Sequence, residues 1–262
     1  MYQEYLEFAK EIANKAKEIM LKYFNEDNKS SYKEDKTIVT IADKEINDYL
    51  IKRVKNIYPE HSVDGEEEQF GNSKMVWVCD PIDGTAMYAR GIPVSVFSLA
   101  LVNDGEPILG VVMDPFSDSL YSAIIGEGAY LNGEEIHVSN IDLDDKRSVA
   151  HFDMAPWAEY NIYDAIKELG KKTYFVGIGS VIRASMCVAT GDFNLVIFPL
   201  IAHKNVDIAA VKVIVEEAGG KVTDLFGDEQ RYDRDINGAI VSNGVVHEEA
   251  INAIKKSLIN LK

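Results

Sequence analysis

Cysteine is scarce in this 262-residue chain: Cys79 and Cys187 are the only two, and they form no Cys-x-x-Cys pair. That argues against a disulfide framework and a thiolate zinc centre, and it fits a reducing cytoplasm. The five histidines, at positions 61, 137, 151, 203 and 247, show no spacing of the H-x-x-x-H kind that an imidazole metal site uses. Positive charge is also in deficit. With 27 basic against 43 acidic residues the net charge is −16, which works against nonspecific binding to nucleic acid or to an anionic membrane. No segment approaches the ~20 consecutive apolar residues of a membrane span, and the N-terminal MYQEYLEFAKEIANKAKEIM mixes charges throughout, without the apolar stretch of a secretory leader. The expectation is a soluble, cytoplasmic globular protein, in which an anionic substrate needs local cations.

Apolar periodicity supplies the elements. Tyr5, Ala9, Ile12, Ala13, Ala16, Ile19, Met20 and Tyr23 recur at three- and four-residue intervals, which predicts one amphipathic helix over 4–24. Ile46, Tyr49, Leu50, Val54 and Ile57 make a second helical stripe, with Asp43 as an acidic residue at its start and Pro59 beyond its end. The pattern then changes to short apolar runs, MVWVC, VSVFSLALV, ILGVVM and SLYSAII, divided by Asp-Gly, Asp-Pro and Ser-Asp punctuation. These predict strands of an antiparallel sheet, with SVDGEEEQF as the loop between the second helix and the first strand. After Asn140 the polar segment IDLDDKR marks a boundary, and beyond it strand-like and helix-like segments alternate in an α/β rhythm. Two subdomains are expected, at residues 1–140 and 147–262.

The acidic residues carry the chemistry. CDPIDGT, from Cys79 to Thr85, follows a predicted strand; on spacing alone it reads as a turn whose carboxylates bond their own backbone. Glu66, Glu67 and Glu68 read as a solvated loop, and Asp43 and Asp207 as charges that complement helix N-termini. Brought together, however, such carboxylates repel and raise one another's pKa unless a cation compensates them. Hard divalent ions such as magnesium take oxygen ligands together with water and substrate phosphate. Gly84 allows backbone to approach a ligand closely, and a helix starting near Thr85 offers N–H groups to an anion.

VTIAD at 39–43, GEE at 65–67, DPIDGT at 80–85, GAYLNG at 128–133 and VDIAAVKVIVEEAGG at 206–220 occur in one order over nearly the whole chain. In that order and spacing the sequence resembles the inositol monophosphatase family, with the archaeal members that hydrolyse both inositol monophosphate and fructose 1,6-bisphosphate as its nearest likeness. The resemblance implies a five-layer αβαβα sandwich and a magnesium-dependent phosphatase of small polyol and sugar phosphates. It further implies a homodimer sensitive to lithium, with two to three magnesium ions per site. Glu66, Asp80 and the carbonyl of Ile82 would bind one ion, Asp80, Asp83 and Asp207 a second, and a third would share Glu66. Gly84 and Thr85, with Asp83, would cradle the phosphate. Glu66 and Thr85 would orient and deprotonate the attacking water, with Asp43 hydrogen-bonded to Thr85, and no covalent phosphoenzyme would form. Substrate contacts would extend to Gly179, Ser180 and Val181.

Two departures bear on substrate. The acidic residue that holds inositol hydroxyls in inositol-specific relatives, seven positions before the last metal aspartate, is Leu200 here, and no acid occurs between Asp192 and Asp207. The stretch LIAHKNVD offers His203 and Lys204 instead, and Arg183 lies on the preceding helical segment, so a second phosphate has cations within reach. The family's DGTTNF reads DGTAMY. A phosphatase of 3'-phosphoadenosine 5'-phosphate, a histidinol phosphatase and a noncatalytic regulatory relative are the alternatives.

Overall fold

The first helix, α1 (Gln3–Tyr23), buries Leu6, Ala9, Ile12, Ala13, Ala16, Ile19 and Met20 along the predicted stripe, with Tyr5 and Tyr23 at its rim. The structure is a computed structural model that describes residues 2–24, 31–32, 38–153, 158, 160–201 and 204–259. A two-residue antiparallel pair, β1 (Ser31–Tyr32) and β2 (Ile38–Val39), leads into α2 (Ile41–Ile57). Thr40, not Asp43, is the N-cap of α2. The Thr40 hydroxyl and the Asp43 carboxylate close a reciprocal capping box, which satisfies helix N–H groups that have no partner within the helix.

Strands β3 (Ser62–Gly65), β4 (Gln69–Phe70), β5 (Met75–Asp83), β6 (Val96–Asn103), β7 (Glu106–Asp114), β8 (Ser119–Ile124), β9 (Ala129–Leu131) and β10 (Glu134–Glu135) form one sheet, in the order β10-β9-β8-β7-β6-β5-β3-β4. A short helix, α3 (Thr85–Tyr88), follows β5. The antiparallel expectation holds from β5 to β10 but not at β3, which pairs parallel with β5. Ser62–Gly65 thus lies in a strand rather than a loop. Its four residues are too few and too polar for alternation to announce it.

The second sheet has the order β12-β11-β13-β15-β14, built from β11 (Val149–Phe152), β12 (Tyr174–Val176), β13 (Leu195–Phe198), β14 (Lys221–Thr223) and β15 (Ala239–Ser242). Strand β11 runs parallel to β12 and β13, while β15 is antiparallel to its neighbours. Its helices are α4 (Tyr163–Leu169), α5 (Val181–Ala189), α6 (Asn205–Glu217) and α7 (His247–Ile259).

Burial fixes the layers. Trp77, Cys79, Phe97, Leu99, Leu109 and Val111 pack under α1 and α2, while Val78, Ala100, Val102 and Val112 on the opposite face pack against α5 and α6. Val196, Phe198, Val222 and Val241 close on α5 and α6 from the second sheet, and Ala150, Leu195, Ile197 and Ile240 face α4 and α7. The order is α1/α2, sheet, α5/α6, sheet, α4/α7: the αβαβα sandwich that the resemblance implied. Because α6 is sandwiched, its residues Asn205 to Val215 are all buried, as expected of a helix apolar around its circumference. Beyond the first turn, Lys212 is the exception in kind. Its ammonium is satisfied by Glu216 at 2.7 Å, Glu229 at 2.6 Å and the Val222 carbonyl at 3.0 Å.

Helix α6 approaches the first sheet at Gly110, where a Cβ would stand 2.7 Å from the Ala210 carbonyl oxygen and 3.0 Å from its Cα. Both neighbours are backbone and cannot rotate away. Gly110→Ala is therefore expected to cost about 1–3 kcal/mol, read as a lower urea midpoint at an unchanged m-value. An unchanged midpoint would show that α6 can lift off the sheet without penalty.

Candidate active site

In a regular strand Asp80 and Asp83, three positions apart, would point to opposite faces. A register shift in the β5–β6 pairing between these two residues corrects this, and Pro81, which has no N–H to give to a ladder, lies inside it. Both aspartates are buried, and both meet Asp207, the third residue of α6. One carboxylate oxygen from each of the three lies within 4.8 Å of the others.

Their surroundings are built to hold them. Asp80 accepts from the Ile82 N–H at 2.9 Å. Asp83 accepts from the Ser180 hydroxyl at 2.5 Å and the Ile182 N–H at 2.7 Å, so the N-terminus of α5, capped by Ser180, is anchored on Asp83. The Lys204 ammonium lies 3.3 Å from Asp207. The carboxyl groups of Asp80, Asp83 and Asp207 are all held above the usual carboxylate range, first by burial; Glu66 then raises Asp80 and Asp207, and Asp207 raises Asp80 and Asp83. Lys204 lowers Asp207 without offsetting its burial, and is itself pushed up, chiefly by Asp207. The site is short of positive charge.

Glu66 follows β3 and continues the ladder through its N–H to the Cys79 carbonyl at 3.1 Å. Asn47, one turn beyond Asp43 on α2, supports this loop by donating to the Glu68 carbonyl at 3.3 Å. Gly65 is required there, since a Cβ would fall 1.9 Å from Asn47 Oδ1. Burial pushes Asp43 up to about 7, and its Oδ1 has no hydrogen-bond partner among the described residues.

One implied contact is not formed. The Thr85 hydroxyl donates to the Ile82 carbonyl at 2.8 Å rather than to Asp43, because Asp43 is turned to the capping box with Thr40. The Ile82 carbonyl, implied as a metal ligand, keeps a second lone pair. Gly84 adopts φ +81°, and a Cβ on it would stand 2.8 Å from the Gly179 carbonyl oxygen and 3.2 Å from Ser180 Cβ. Gly84→Ala combines a left-handed backbone with that clash, so it is expected to cost more than about 1 kcal/mol of stability and to lower turnover. A variant that matched wild type in both urea midpoint and turnover would contradict this close approach.

Of the other expected substrate contacts, Gly179, Ser180 and Val181 stand beside Gly84 and Asp83, with Ser180 bound to Asp83 rather than pointing away from it. Arg183 is committed elsewhere: its Nε lies 3.1 Å from Asp114, and it lines a cavity of about 370 Å³ with Pro93, Phe116, Ile178 and Cys187. Asp114, at the end of β7, compensates the guanidinium through Nε. His203 lies outside the described residues. Two supports escaped the sequence reading, Thr40 and Asn47. Only Thr40 carried a signal, the Thr-x-x-Asp spacing of a capping box.

The donors suit a hard divalent ion. They are oxygens only, they are buried, and their mutual repulsion is relieved by a cation in their midst. The chain matches the model of the inositol monophosphatase family over residues 1–258. It is 31% identical over 243 residues to a fructose-1,6-bisphosphatase/inositol-1-monophosphatase of Thermotoga maritima, covering 91% of this chain and 90% of that one. The solved structure of a Thermotoga maritima IMPase superposes with a TM-score of 0.87 at 28% identity, over 99% of this chain and 100% of the other. An IMPase/NADP phosphatase solved with Mg2+ and phosphate gives 0.82 at 26% identity, over 96% and 95%. With its ordered motifs, its αβαβα layers and its carboxylate cluster, the chain belongs to the inositol monophosphatase family.

Proposed function

We propose that this protein is a magnesium-dependent phosphatase that hydrolyses phosphomonoesters of small polyols and sugars, inositol 1-phosphate and fructose 1,6-bisphosphate among them. The observation that carries this reading is the convergence of buried Asp80, Asp83 and Asp207 from two distant segments. In this reading Glu66, Asp80, the Ile82 carbonyl, Asp83 and Asp207 hold two magnesium ions, and Glu66 shares a third. Bound magnesium supplies the charge that acidifies water and stabilises the leaving alkoxide. Gly84 and Thr85 would bind the phosphate; Thr85 would help to orient the attacking water and the Glu66 carboxylate would accept its proton, with Asp43 behind them on α2. The protein acts as a cytoplasmic homodimer and is inhibited by lithium, which resembles magnesium in size and carries half its charge.

A panel of inositol 1-phosphate, fructose 1,6-bisphosphate, 3'-phosphoadenosine 5'-phosphate and histidinol phosphate, each with magnesium, tests the substrate class. The expected result is the highest kcat/KM on one of the first two. A strong preference for the nucleotide or for histidinol phosphate would move the reading to that activity.

Leu200 stands where inositol-specific relatives carry an acid, and Lys204 brings a cation beside Asp207. A second phosphate gains a charge-assisted contact there. At saturating magnesium, Lys204→Ala is expected to lower kcat/KM for fructose 1,6-bisphosphate relative to inositol 1-phosphate by roughly ten-fold, the equivalent of about 1.4 kcal/mol. An unchanged ratio would restrict Lys204 to its pairing with Asp207.

A further inference from the structure

Glu66 and Asp207 come from segments far apart in the chain, yet each is preceded by two positions by a polar residue that reaches the other's segment. Asn205 is only 3% exposed. Its amide donates to Asp64 Oδ2 at 2.7 Å and to the Tyr232 carbonyl at 3.1 Å. The other oxygen of Asp64 accepts from Gln69 at 2.6 Å.

The spacing gives this hydrogen bond its leverage. Glu66 follows β3 directly and its N–H is still bonded to the Cys79 carbonyl of β5, so the backbone that carries Glu66 moves with Asp64, two positions before it. On the helix, Asn205 and Asp207 share the first turn of α6, where the Asp207 N–H returns to the Lys204 carbonyl at 3.2 Å. The far flank of the Glu66 loop is already tied to α2 through Asn47 and Glu68. On the side that faces α6, the bond between Asp64 and Asn205 ties β3 directly to the first turn of the helix.

We propose that the Asp64–Asn205 hydrogen bond is a clasp that sets the separation of Glu66 from Asp207, and that these two residues act as positioning residues for magnesium binding. The proposal rests on the reading of Glu66 and Asp207 as metal ligands. Neither clasp residue need touch metal or substrate; each acts through the ligand two positions ahead of it. Loss of either partner frees the same motion, so the two losses do not compound.

The test is calorimetric titration of the metal-free full chain with magnesium chloride alone, for wild type, Asp64→Ala, Asn205→Ala and the double variant, below the melting temperature of all four. Each single variant is expected to raise the magnesium Kd by about five-fold or more, with the double variant within about two-fold of the weaker single. Single-variant values within about two-fold of wild type, or losses that multiply in the double variant, overturn the clasp. Asp207→Asn separates the two levels of the argument. If it binds magnesium as wild type does, the ligand reading fails; if it weakens binding while the clasp variants do not, only the clasp fails.

Should an alanine variant not fold, the pair can be exchanged. Asp64→Asn with Asn205→Asp keeps an amide facing a carboxylate, whereas Asn205→Asp alone sets two carboxylates face to face; both lose the donor to Tyr232. The exchanged pair is expected to bind magnesium at least about five-fold more tightly than Asn205→Asp alone, and equal affinities overturn the proposal.

Discussion

Asp83→Asn is expected to fold normally and to lose turnover by roughly a hundred-fold or more at saturating magnesium. The amide oxygen can take the place of Oδ2, accepting from the Ser180 hydroxyl and the Ile182 N–H, so α5 keeps its anchor. The amide NH2 then faces Asp207 and Asp80, where it offers a donor in place of a metal ligand. The same change removes a buried carboxyl that folding pushes up to about 8, chiefly by burial, so that at neutral pH the unfolded chain gains by releasing its proton and the fold is destabilised. In the absence of metal the variant is therefore expected to melt higher than wild type, by about 2–4 °C for each kcal/mol relieved in a chain of this size. Near-wild-type turnover, or a lower melting temperature without metal, would remove Asp83 from the ligand set.

Magnesium itself has the second large effect. With chelator present, phosphate release should fall to background; with magnesium restored it should recover. An ion held by the folded carboxylate cluster and not by the unfolded chain stabilises the fold, so magnesium at one hundred times its Kd is expected to add about 2.7 kcal/mol. That corresponds to a rise of roughly 5–10 °C in melting temperature. The comparison is made at constant ionic strength, since general screening also eases repulsion at a net charge of −16. A melting temperature indifferent to magnesium would mean that the cluster does not bind it.

Much of this was legible in the sequence because the relevant signals are local. The stripes of α1 and α2, the runs that become β5 to β8 and the unbroken apolar face of α6 are statements about neighbours in the chain. So are GEE and DPIDGT, which carry their carboxylates within a few residues. What escaped depends on register or on distant partners. No periodicity reveals that a register shift turns Asp80 and Asp83 to one side, or that the parallel partner of β5 is the four-residue SVDG. Ser180 and Asp83 are 97 residues apart in sequence and Asn205 and Asp64 are 141 apart. Arg183 shows the same limit: a cation on a helix is visible in the sequence, but its partner Asp114 on a distant strand is not. The Thr85 hydroxyl bonds Ile82 while Asp43 serves the cap of its own helix, a choice of partner that no sequence pattern announces.

The most direct test of the central claim is phosphate release by the purified protein from inositol 1-phosphate and fructose 1,6-bisphosphate as magnesium is titrated from zero in a chelator-buffered solution. The predicted result is release that rises from background with magnesium, saturates, and is nearly abolished in Asp83→Asn at every concentration. Release that persists without divalent metal, or that survives in Asp83→Asn at the wild-type level, would contradict hydrolysis at the carboxylate cluster of Asp80, Asp83 and Asp207.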